Sequence, residues 1–196
     1  MTNYSFNSTA TSGESSQSNF SFDYLYDYLK TNAPREASES EWDIRQLVWS
    51  FKNDSDRTRR YTHTQALNRI IPAYERKLRG NYGSSVSNMT LVCIPASSRV
   101  KNERRWKEFS ELVCDDLDMY NGYDHIAVTR DAVAKHMGGS GVTSLAFDES
   151  FFRGKKVVIC DDVRTTGRSI QQMRSKLESL GATVVGSITI AKTVHE

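Results

Sequence analysis

Hydrophobic and polar positions fall into blocks along the chain, and the sharpest block covers residues 155–181. Two lysines precede four consecutive apolar residues, 157–160, a pattern typical of a strand buried on both faces of a parallel sheet. Apolar residues then recur at helical spacing before Gly181, which favours a left-handed helix end: Ile170, Met173, Leu177 and Leu180. This block predicts a strand, a tight loop and a helix over residues 166–180.

The amino-terminal half has weaker patterns. Residues 1–20 are rich in Ser, Thr and Asn, so we expect a disordered polar tail. The aromatic stretch at residues 22–29 predicts a short helix. A second helix, entered from Ser40, is predicted from the inward positions Trp42, Ile44, Leu47, Val48 and Phe51. A third, longer helix is predicted to begin at one of two threonines, Thr62 or Thr64.

The carboxyl-terminal half predicts further strands over residues 89–95, 125–129 and 183–191. A helix is predicted over residues 102–117. Five apolar side chains of this helix are expected to face inward: Trp106, Phe109, Leu112, Val113 and Leu117. Its basic residues are expected on a solvated face: Arg104, Arg105 and Lys107. Residues 130–148 contain several glycines and little periodicity, which indicates a functional loop within a compact domain.

The loop after the strand at 157–160 has the chemistry of a phosphate site. Free N–H groups at a helix start form a cradle together with hydroxyls and one bare backbone position: Thr165, Thr166, Ser169 and Gly167. Asp161 and Asp162, expected at the solvent end of the strand, accept hydrogen bonds only, so they suit vicinal sugar hydroxyls or a hydrated Mg²⁺. A phosphate beside a diol describes a ribose 5-phosphate.

Other classes of protein with acidic residues at the end of a strand match this sequence less well. A receiver domain carries its acidic pocket on an early strand, and a haloacid-dehalogenase-type site needs acids two positions apart. A nucleoside-triphosphate P-loop needs Gly-x-x-x-x-Gly-Lys-Ser/Thr, which the chain lacks. A solvated turn is the remaining alternative.

Residues 157–169 resemble the ribose-phosphate-binding signature of the type I phosphoribosyltransferases: an apolar strand, two acids and a Thr-Thr-Gly loop. The resemblance implies a doubly wound α/β fold with a parallel sheet, whose two phosphate loops meet where the strand order reverses. It also implies a transferase of the glycosyltransferase class, acting in nucleotide metabolism. The donor would be phosphoribosyl pyrophosphate with Mg²⁺ held mainly by the substrate, and the acceptor a nitrogen nucleophile such as a nucleobase.

The resemblance assigns roles to residues. Asp161 and Asp162 would be catalytic, and the ribose 5-phosphate would be bound by Val163, Arg164, Thr165, Thr166, Gly167, Arg168 and Ser169. The loop after the first core strand would bind pyrophosphate through Ala96, Ser97, Ser98 and Arg99. The loop at 130–148 matches the mobile loop of the family and contains Lys135 and His136. His136 could be a catalytic base or a plain loop histidine.

Within the family, the order of parts is most similar to the ComF-type branch. Two features depart from it: the cysteine zinc knuckle of that branch is missing, and residues 104–109 stand where it has an Arg-Gly-Phe-Asn-Gln stretch. Residues 86–196 would form the core. Residues 21–85 would form a helical hood that selects the acceptor. A planar base could stack on, or form hydrogen bonds with, four residues of this hood: Trp42, Trp49, Arg60 and Tyr61.

Composition adds little to this picture. The net charge is +2, but residues 57–107 hold twelve Lys or Arg against two Glu, which indicates an anionic partner. A polyphosphate sugar is favoured over nucleic acid; a non-catalytic sugar-phosphate-binding regulator is the alternative function, and a homodimer stays open. Three unpaired cysteines suit buried thiols in the cytoplasm, and no apolar run approaches the roughly 20 residues that span a bilayer.

Overall fold

The computed structural model describes residues 20–54, 59–130 and 144–194. The strands of this part of the chain are β1 (Ser21–Leu29), β2 (Met89–Cys93), β3 (Tyr120–Asn121), β4 (Ile126–Arg130), β5 (Ser144–Phe147), β6 (Lys156–Arg164) and β7 (Thr183–Val194). Its α-helices are α1 (Glu39–Lys52), α2 (His63–Tyr82), α3 (Arg99–Asn102), α4 (Glu108–Leu117), α5 (Glu149–Phe152) and α6 (Arg168–Ser179). None of these helices is long and apolar enough to cross a bilayer.

Five strands form a central sheet in the order β1-β7-β6-β2-β3, and every neighbouring pair in it is parallel. The predicted α/β fold with a parallel sheet flanked by helices is therefore confirmed. From β2 the chain moves outward to β3, whereas from β6 it moves to β7 on the other side. The strand order thus reverses between β2 and β6, and the loops that follow these two strands lie side by side.

Strand β6 is apolar on both sides because each of its faces meets a separate hydrophobic cluster. Val158 and Cys160 belong to the cluster built with α1, α2 and α4, and Val157 and Ile159 belong to the cluster built with α6. All four side chains are fully buried. Without polar positions in this stretch, the strand has no face that could be turned to water, which fixes it at the centre of the sheet.

Helices α1 and α2 begin at capping boxes. Ser38 caps α1 and accepts a hydrogen bond from the backbone N–H of Glu41, whose side chain accepts one from the Ser38 N–H in return. Thr62 and Gln65 make the same reciprocal pair at the start of α2. The prediction from Thr62 is confirmed, and α1 begins two residues earlier than the predicted entry at Ser40 because Ser38 is followed three positions later by a glutamate.

The predicted helix over residues 22–29 is wrong: this segment is the edge strand β1, parallel to β7 along its length. Aromatic side chains occupy every second position, at 22, 24, 26 and 28, which is the period of a strand. The strand ends where the buried guanidinium of Arg45 donates hydrogen bonds to the carbonyl oxygens of Leu29 and Lys30. Helix α1 therefore anchors the last residue of β1.

The helix predicted over residues 102–117 begins at Arg99 and contains a π-helical turn, Glu103–Lys107, between α3 and α4. Trp106, Phe109, Val113 and Leu117 are buried as predicted, whereas Leu112 is 41% exposed, so its inward assignment is wrong. The wider turn rotates the residues before α4 relative to an uninterrupted α-helix. It thereby changes which basic side chains face the sheet.

The strand predicted at 125–129 is present as β4, but it lies outside the central sheet. It pairs antiparallel with β5 in a separate two-stranded sheet, and β5 occupies part of the stretch predicted as loop. The rest of that loop, residues 131–143 with Lys135 and His136, lies outside the described residues, as do residues 1–19 of the predicted tail.

Gly186 allows β1 to approach β7, and its replacement should displace β1. A Cβ at this position would lie 2.5 Å from the Tyr82 hydroxyl oxygen and 3.3 Å from the Ser21 carbonyl oxygen. We expect Gly186→Ala to lower the free energy of unfolding by about 2 kcal/mol, measured by urea denaturation. Gly80→Ala is the control: a Cβ there meets nothing within 4 Å, and alanine should stabilise α2 by up to about 1 kcal/mol. Equal stability of Gly186→Ala and the natural protein would contradict this packing.

Candidate functional site

The acid pair lies within β6 rather than beyond its end. Pairing with β7 continues from Asp161 to Arg164, so the strand runs three residues past the first aspartate. Successive side chains of a strand point to opposite faces, which puts Asp162 on the side of Cys160 and of helices α1 and α4. The expectation that both acids stand at a solvent end is wrong, because the Asp162 side chain is only 9% exposed.

Asp162 is held by two cations from different parts of the chain. The Lys52 Nζ, at the end of α1, lies 3.1 Å from Asp162 Oδ1, and the Arg105 Nη1 donates to Asp162 Oδ2. Arg105 also reaches Asp54, with its Nη2 3.8 Å from a carboxylate oxygen. These four residues form an alternating network of charges, which we call the charge network: Lys52, Asp162, Arg105 and Asp54.

Sequence reasoning missed both cations. Arg105 was expected on a solvated face, yet its side chain is 12% exposed, because the π-helical turn carries it toward β6. Lys52 is 110 positions away from Asp162 in the sequence, and a single lysine at a helix end carries no local signal of such a contact. A basic pair near an acid pair is visible only once the topology is known.

Asp161 has an unusual titration. Burial, and next the charge of Asp162, raise the pKa of Asp161 to about 7, against the lowering effects of the Asp162 backbone N–H and of Lys52 and Arg105. The Asp161 Oδ1 accepts that N–H at 2.8 Å. Asp161 is therefore divided between its neutral and ionised forms near neutral pH, so it could donate as well as accept a hydrogen bond.

The loop after β6 has the geometry of an anion cradle. Gly167 adopts φ +76° at the start of α6, a conformation that favours glycine, and the Arg168 N–H lies 3.4 Å from Thr166 Oγ1. Thr165, Thr166, Arg168 and Ser169 are exposed, which leaves their polar groups open to solvent and to a ligand. The first turn of α6 adds N–H groups that have no partner within the helix.

Two residues assigned to the ribose 5-phosphate have other surroundings. Val163 packs against the core cluster of α1, α2 and α4. The guanidinium of Arg164 lies over the rings of Phe22 and Tyr24, with its Cζ 5.1 and 5.9 Å from the two ring centroids. This places Arg164 between the cradle and the edge strand β1.

The assigned pyrophosphate loop adjoins the acid pair but is internally bonded. The Ile94 N–H donates to the Cys160 carbonyl oxygen at 2.8 Å, which ties the start of the loop to β6. The Ala96 N–H donates to Asn102 Oδ1, and Ser98 caps α3. Arg99 donates to the Val128 carbonyl oxygen at 2.8 Å, so its charge lies toward β4. Ser97 is exposed.

A small cavity of about 220 Å³ opens beside the charge network, lined by Tyr28, Thr31, Trp49, Lys52 and Asp54. Among the residues expected to select an acceptor, Trp49 lines this cavity and donates to the Tyr28 hydroxyl at 3.2 Å. Trp42 stacks edge-on against Trp49 with ring centroids 5.6 Å apart. Arg60 and Tyr61 both bind Asp43 instead, in a separate cluster at the first half of α1.

The donor chemistry of the acid pair can be compared with the needs of Mg²⁺. Carboxylate oxygens are suitable ligands, but both Asp162 oxygens already contact cationic groups, and one Asp161 oxygen accepts a backbone N–H. In the described part of the chain, no three His, Cys, Asp or Glu side chains cluster as a metal site would require. Three of the four carboxylate oxygens of the acid pair thus already have a partner, so a Mg²⁺ at this site would need further ligands from elsewhere.

Comparison with known proteins gives a family match over more than half of the chain. The family model described as phosphoribosyl transferase domain matches residues 58–196. Among solved structures, UMP synthase from Leishmania donovani is similar at 18% sequence identity and a TM-score of 0.35, over 79% of this chain and 32% of that chain. The chain thus spans about a third of that protein, and a likeness at this level does not bear on substrate or mechanism. No curated protein matches the sequence.

Replacement of Asp161 and of Asp162 by asparagine should change the free energy of unfolding in opposite directions. Asp162→Asn leaves Arg105 and Lys52 facing a neutral amide, so we expect a loss of about 3 kcal/mol in the free energy of unfolding. Asp161→Asn keeps an acceptor oxygen for the Asp162 N–H and removes a charge that burial disfavours, so we expect a gain of roughly 1 to 3 kcal/mol at pH 8. Urea denaturation of both variants at pH 5 and pH 8 measures the two effects.

The pH dependence of the free energy of unfolding tests why Asp161→Asn should be stabilising. The pKa of Asp161 is raised from 3.8 in the unfolded chain to about 7, so its contribution to stability is full below pH 3.8 and is lost as the pH rises to about 7. The advantage of Asp161→Asn must then be larger at pH 8 than at pH 5. An advantage independent of pH would show that burial of the charge is not its origin.

Proposed function

The chain belongs to the phosphoribosyl transferase domain family, and from this premise we propose that it transfers the phosphoribosyl group of phosphoribosyl pyrophosphate to a nitrogen nucleophile. Mg²⁺ would accompany the donor, and pyrophosphate would be released. The acceptor we propose is a nitrogen heterocycle of the nucleobase type.

One observation carries this proposal. The acid pair on the central strand β6 is followed closely in the sequence by the exposed first turn of helix α6. Only four residues separate Asp162 from Gly167, the residue directly before α6. A sugar 5-phosphate has hydroxyls and a phosphate at a comparable separation, and these need acceptors and donors respectively. The pyrophosphate would lie toward Ser97 and Ser98, on the loop that is bonded to β6 through Ile94.

Catalysis in this arrangement would be mainly positional. The cradle at 165–169 holds the 5-phosphate, and the carboxylates hold the ribose hydroxyls, so the anomeric carbon is fixed in front of the acceptor. As the bond to pyrophosphate breaks, positive charge develops on the ribose ring, and the nearby carboxylates stabilise it. Mg²⁺, when bound with the donor, would neutralise the leaving pyrophosphate. The acceptor nitrogen forms the new bond to the anomeric carbon and then loses its proton.

Three finer assignments belong to the same proposal. We place the chain nearest to the ComF-type branch, supported by the order of α1, the long helix α2 and the Ile94-Pro95 loop. The hood over residues 21–85 would supply the acceptor site, supported by the cavity that Trp49 lines. The cytoplasm is the proposed location, supported by three buried free cysteines.

A second candidate is a regulator that binds the sugar phosphate without turnover. The observation that favours it is the charge network, because Asp162 has two cationic partners before any ligand arrives. Pyrophosphate release decides between the two candidates. The protein is incubated with phosphoribosyl pyrophosphate, Mg²⁺ and each member of a panel of purine and pyrimidine bases. Release that depends on one base identifies a transferase; tight donor binding without release for any base identifies the regulator.

Binding of the donor should raise the free energy of unfolding, and this increase should depend on Gly167. Phosphoribosyl pyrophosphate with Mg²⁺ at a hundred times its dissociation constant adds about 2.7 kcal/mol to the free energy of unfolding, which a thermal melt resolves. In Gly167→Val this stabilisation should vanish, because φ +76° disfavours a branched side chain in the cradle. Gly154→Val is the matched control, since Gly154 has φ +75° and lies away from the cradle. Full stabilisation of Gly167→Val would exclude this loop as the phosphate site.

A further inference from the structure

Lys52 reaches the acid pair from outside the segment that the family model matches. That segment begins at residue 58, whereas Lys52 is the last residue of α1. Its position is fixed, because Leu47, Val48 and Phe51 of the same helix are fully buried in the core. Asn53 then ends α1 in a left-handed conformation, with its N–H directed at the Trp49 carbonyl oxygen. The end of α1 is thus held beside β6 by the same hydrophobic core that contains Cys160, the residue before the acid pair.

We propose that Lys52 is a positioning residue of the sugar site, which together with Arg105 fixes the orientation of the Asp162 carboxylate that receives the ribose hydroxyls. This inference rests on the proposed function for the identity of the ligand. It adds a residue of the amino-terminal helix to a site otherwise built by β6 and α6.

The electrostatics of the pair require such cations. Two adjacent carboxylates that are largely removed from water repel each other, and a single partner would leave one charge uncompensated. Asp162 receives one cation at each oxygen: Lys52 at Oδ1 and Arg105 at Oδ2. Asp54 balances Arg105 on its other side, so the two cations and two carboxylates of the charge network sum to zero.

The two cations differ in how firmly they are held. Arg105 is 12% exposed and bridges Asp162 and Asp54 with two nitrogens, whereas Lys52 is 29% exposed and, among the described residues, forms an ion pair with Asp162 only. A lysine ammonium on a flexible stem can keep a carboxylate oriented while its hydrogen bonds are exchanged. Two buried atoms of the network, Arg105 Nε and Asp54 Oδ1, have no hydrogen-bond partner within residues 20–54, 59–130 and 144–194. The network therefore has donor and acceptor capacity left for a rearrangement when hydroxyls bind.

This role predicts that replacing Lys52 weakens binding of the sugar phosphate but not binding of inorganic phosphate. Lys52→Met should weaken binding of ribose 5-phosphate about tenfold, the effect of losing one charge-assisted contact at the carboxylate. Binding of inorganic phosphate should be unchanged, because the cradle at 165–169 does not involve Lys52. Lys52→Arg should recover ribose 5-phosphate affinity to within about threefold of the natural protein, since it restores the charge.

Isothermal titration of the full chain with these two ligands tests the inference. Lys77→Met is the matched control, because Lys77 makes a comparable 3.1 Å ion pair with Asp23 away from the site. In an Asp162→Asn background, Lys52→Met should cause no further loss, as expected when both residues act through one interaction. Phosphate binding by Lys52→Met also shows that the variant is folded.

Three results would overturn the inference, and they are distinguishable. Ribose 5-phosphate affinity equal to or higher than that of the natural protein would show that Lys52 does not support the carboxylate. An equal loss for both ligands, without rescue by arginine, would indicate a general structural role. If the natural protein binds ribose 5-phosphate no better than inorganic phosphate, the sugar site itself fails, and with it the proposed function.

Discussion

Two neighbouring carboxylates inside the central strand of a parallel sheet are the constraint on which the rest of the site depends. Two unit charges 4 Å apart interact with about 4 kcal/mol near a protein surface, a large share of the net stability of a domain. The protein meets this cost with cations from two separate elements, Lys52 on α1 and Arg105 on the π-helical turn. It also lets Asp161 remain largely neutral until the pH reaches about 7.

This arrangement links the amino-terminal part of the chain to the sheet. Strand β1 pairs with β7, Arg45 of α1 binds the end of β1, and Lys52 of the same helix binds Asp162 on β6. Helix α1 thus connects the edge of the sheet with its centre. The core that fixes α1 also contains residues of α2, α4 and β6, so the orientation of the acid pair depends on packing throughout one side of the molecule.

Local signals were sufficient for the strand, loop and helix at residues 156–179. An uninterrupted apolar run, a glycine at a positive φ and a helical apolar period each point to the same structure there. The edge strand β1 was misassigned because aromatic residues support either a packed helix or a strand, and its partner β7 lies about 165 residues away. The charge network was not predicted for the same reason: nothing near Lys52 in the sequence indicates Asp162.

Several features that cost stability lie close to the acid pair. A carboxyl with a raised pKa, two buried polar atoms that have no hydrogen-bond partner among the described residues, and a π-helical turn all lie on β6 or in segments that contribute to the charge network. Each of them costs stability, and the hydrophobic clusters on either side of β6 offset that cost. Helices α1 and α2, by contrast, begin at capping boxes and bury apolar faces as the sequence rules predict. Costly local features are typical of ligand-binding sites, and their presence here supports the proposal that a ligand binds at the end of β6.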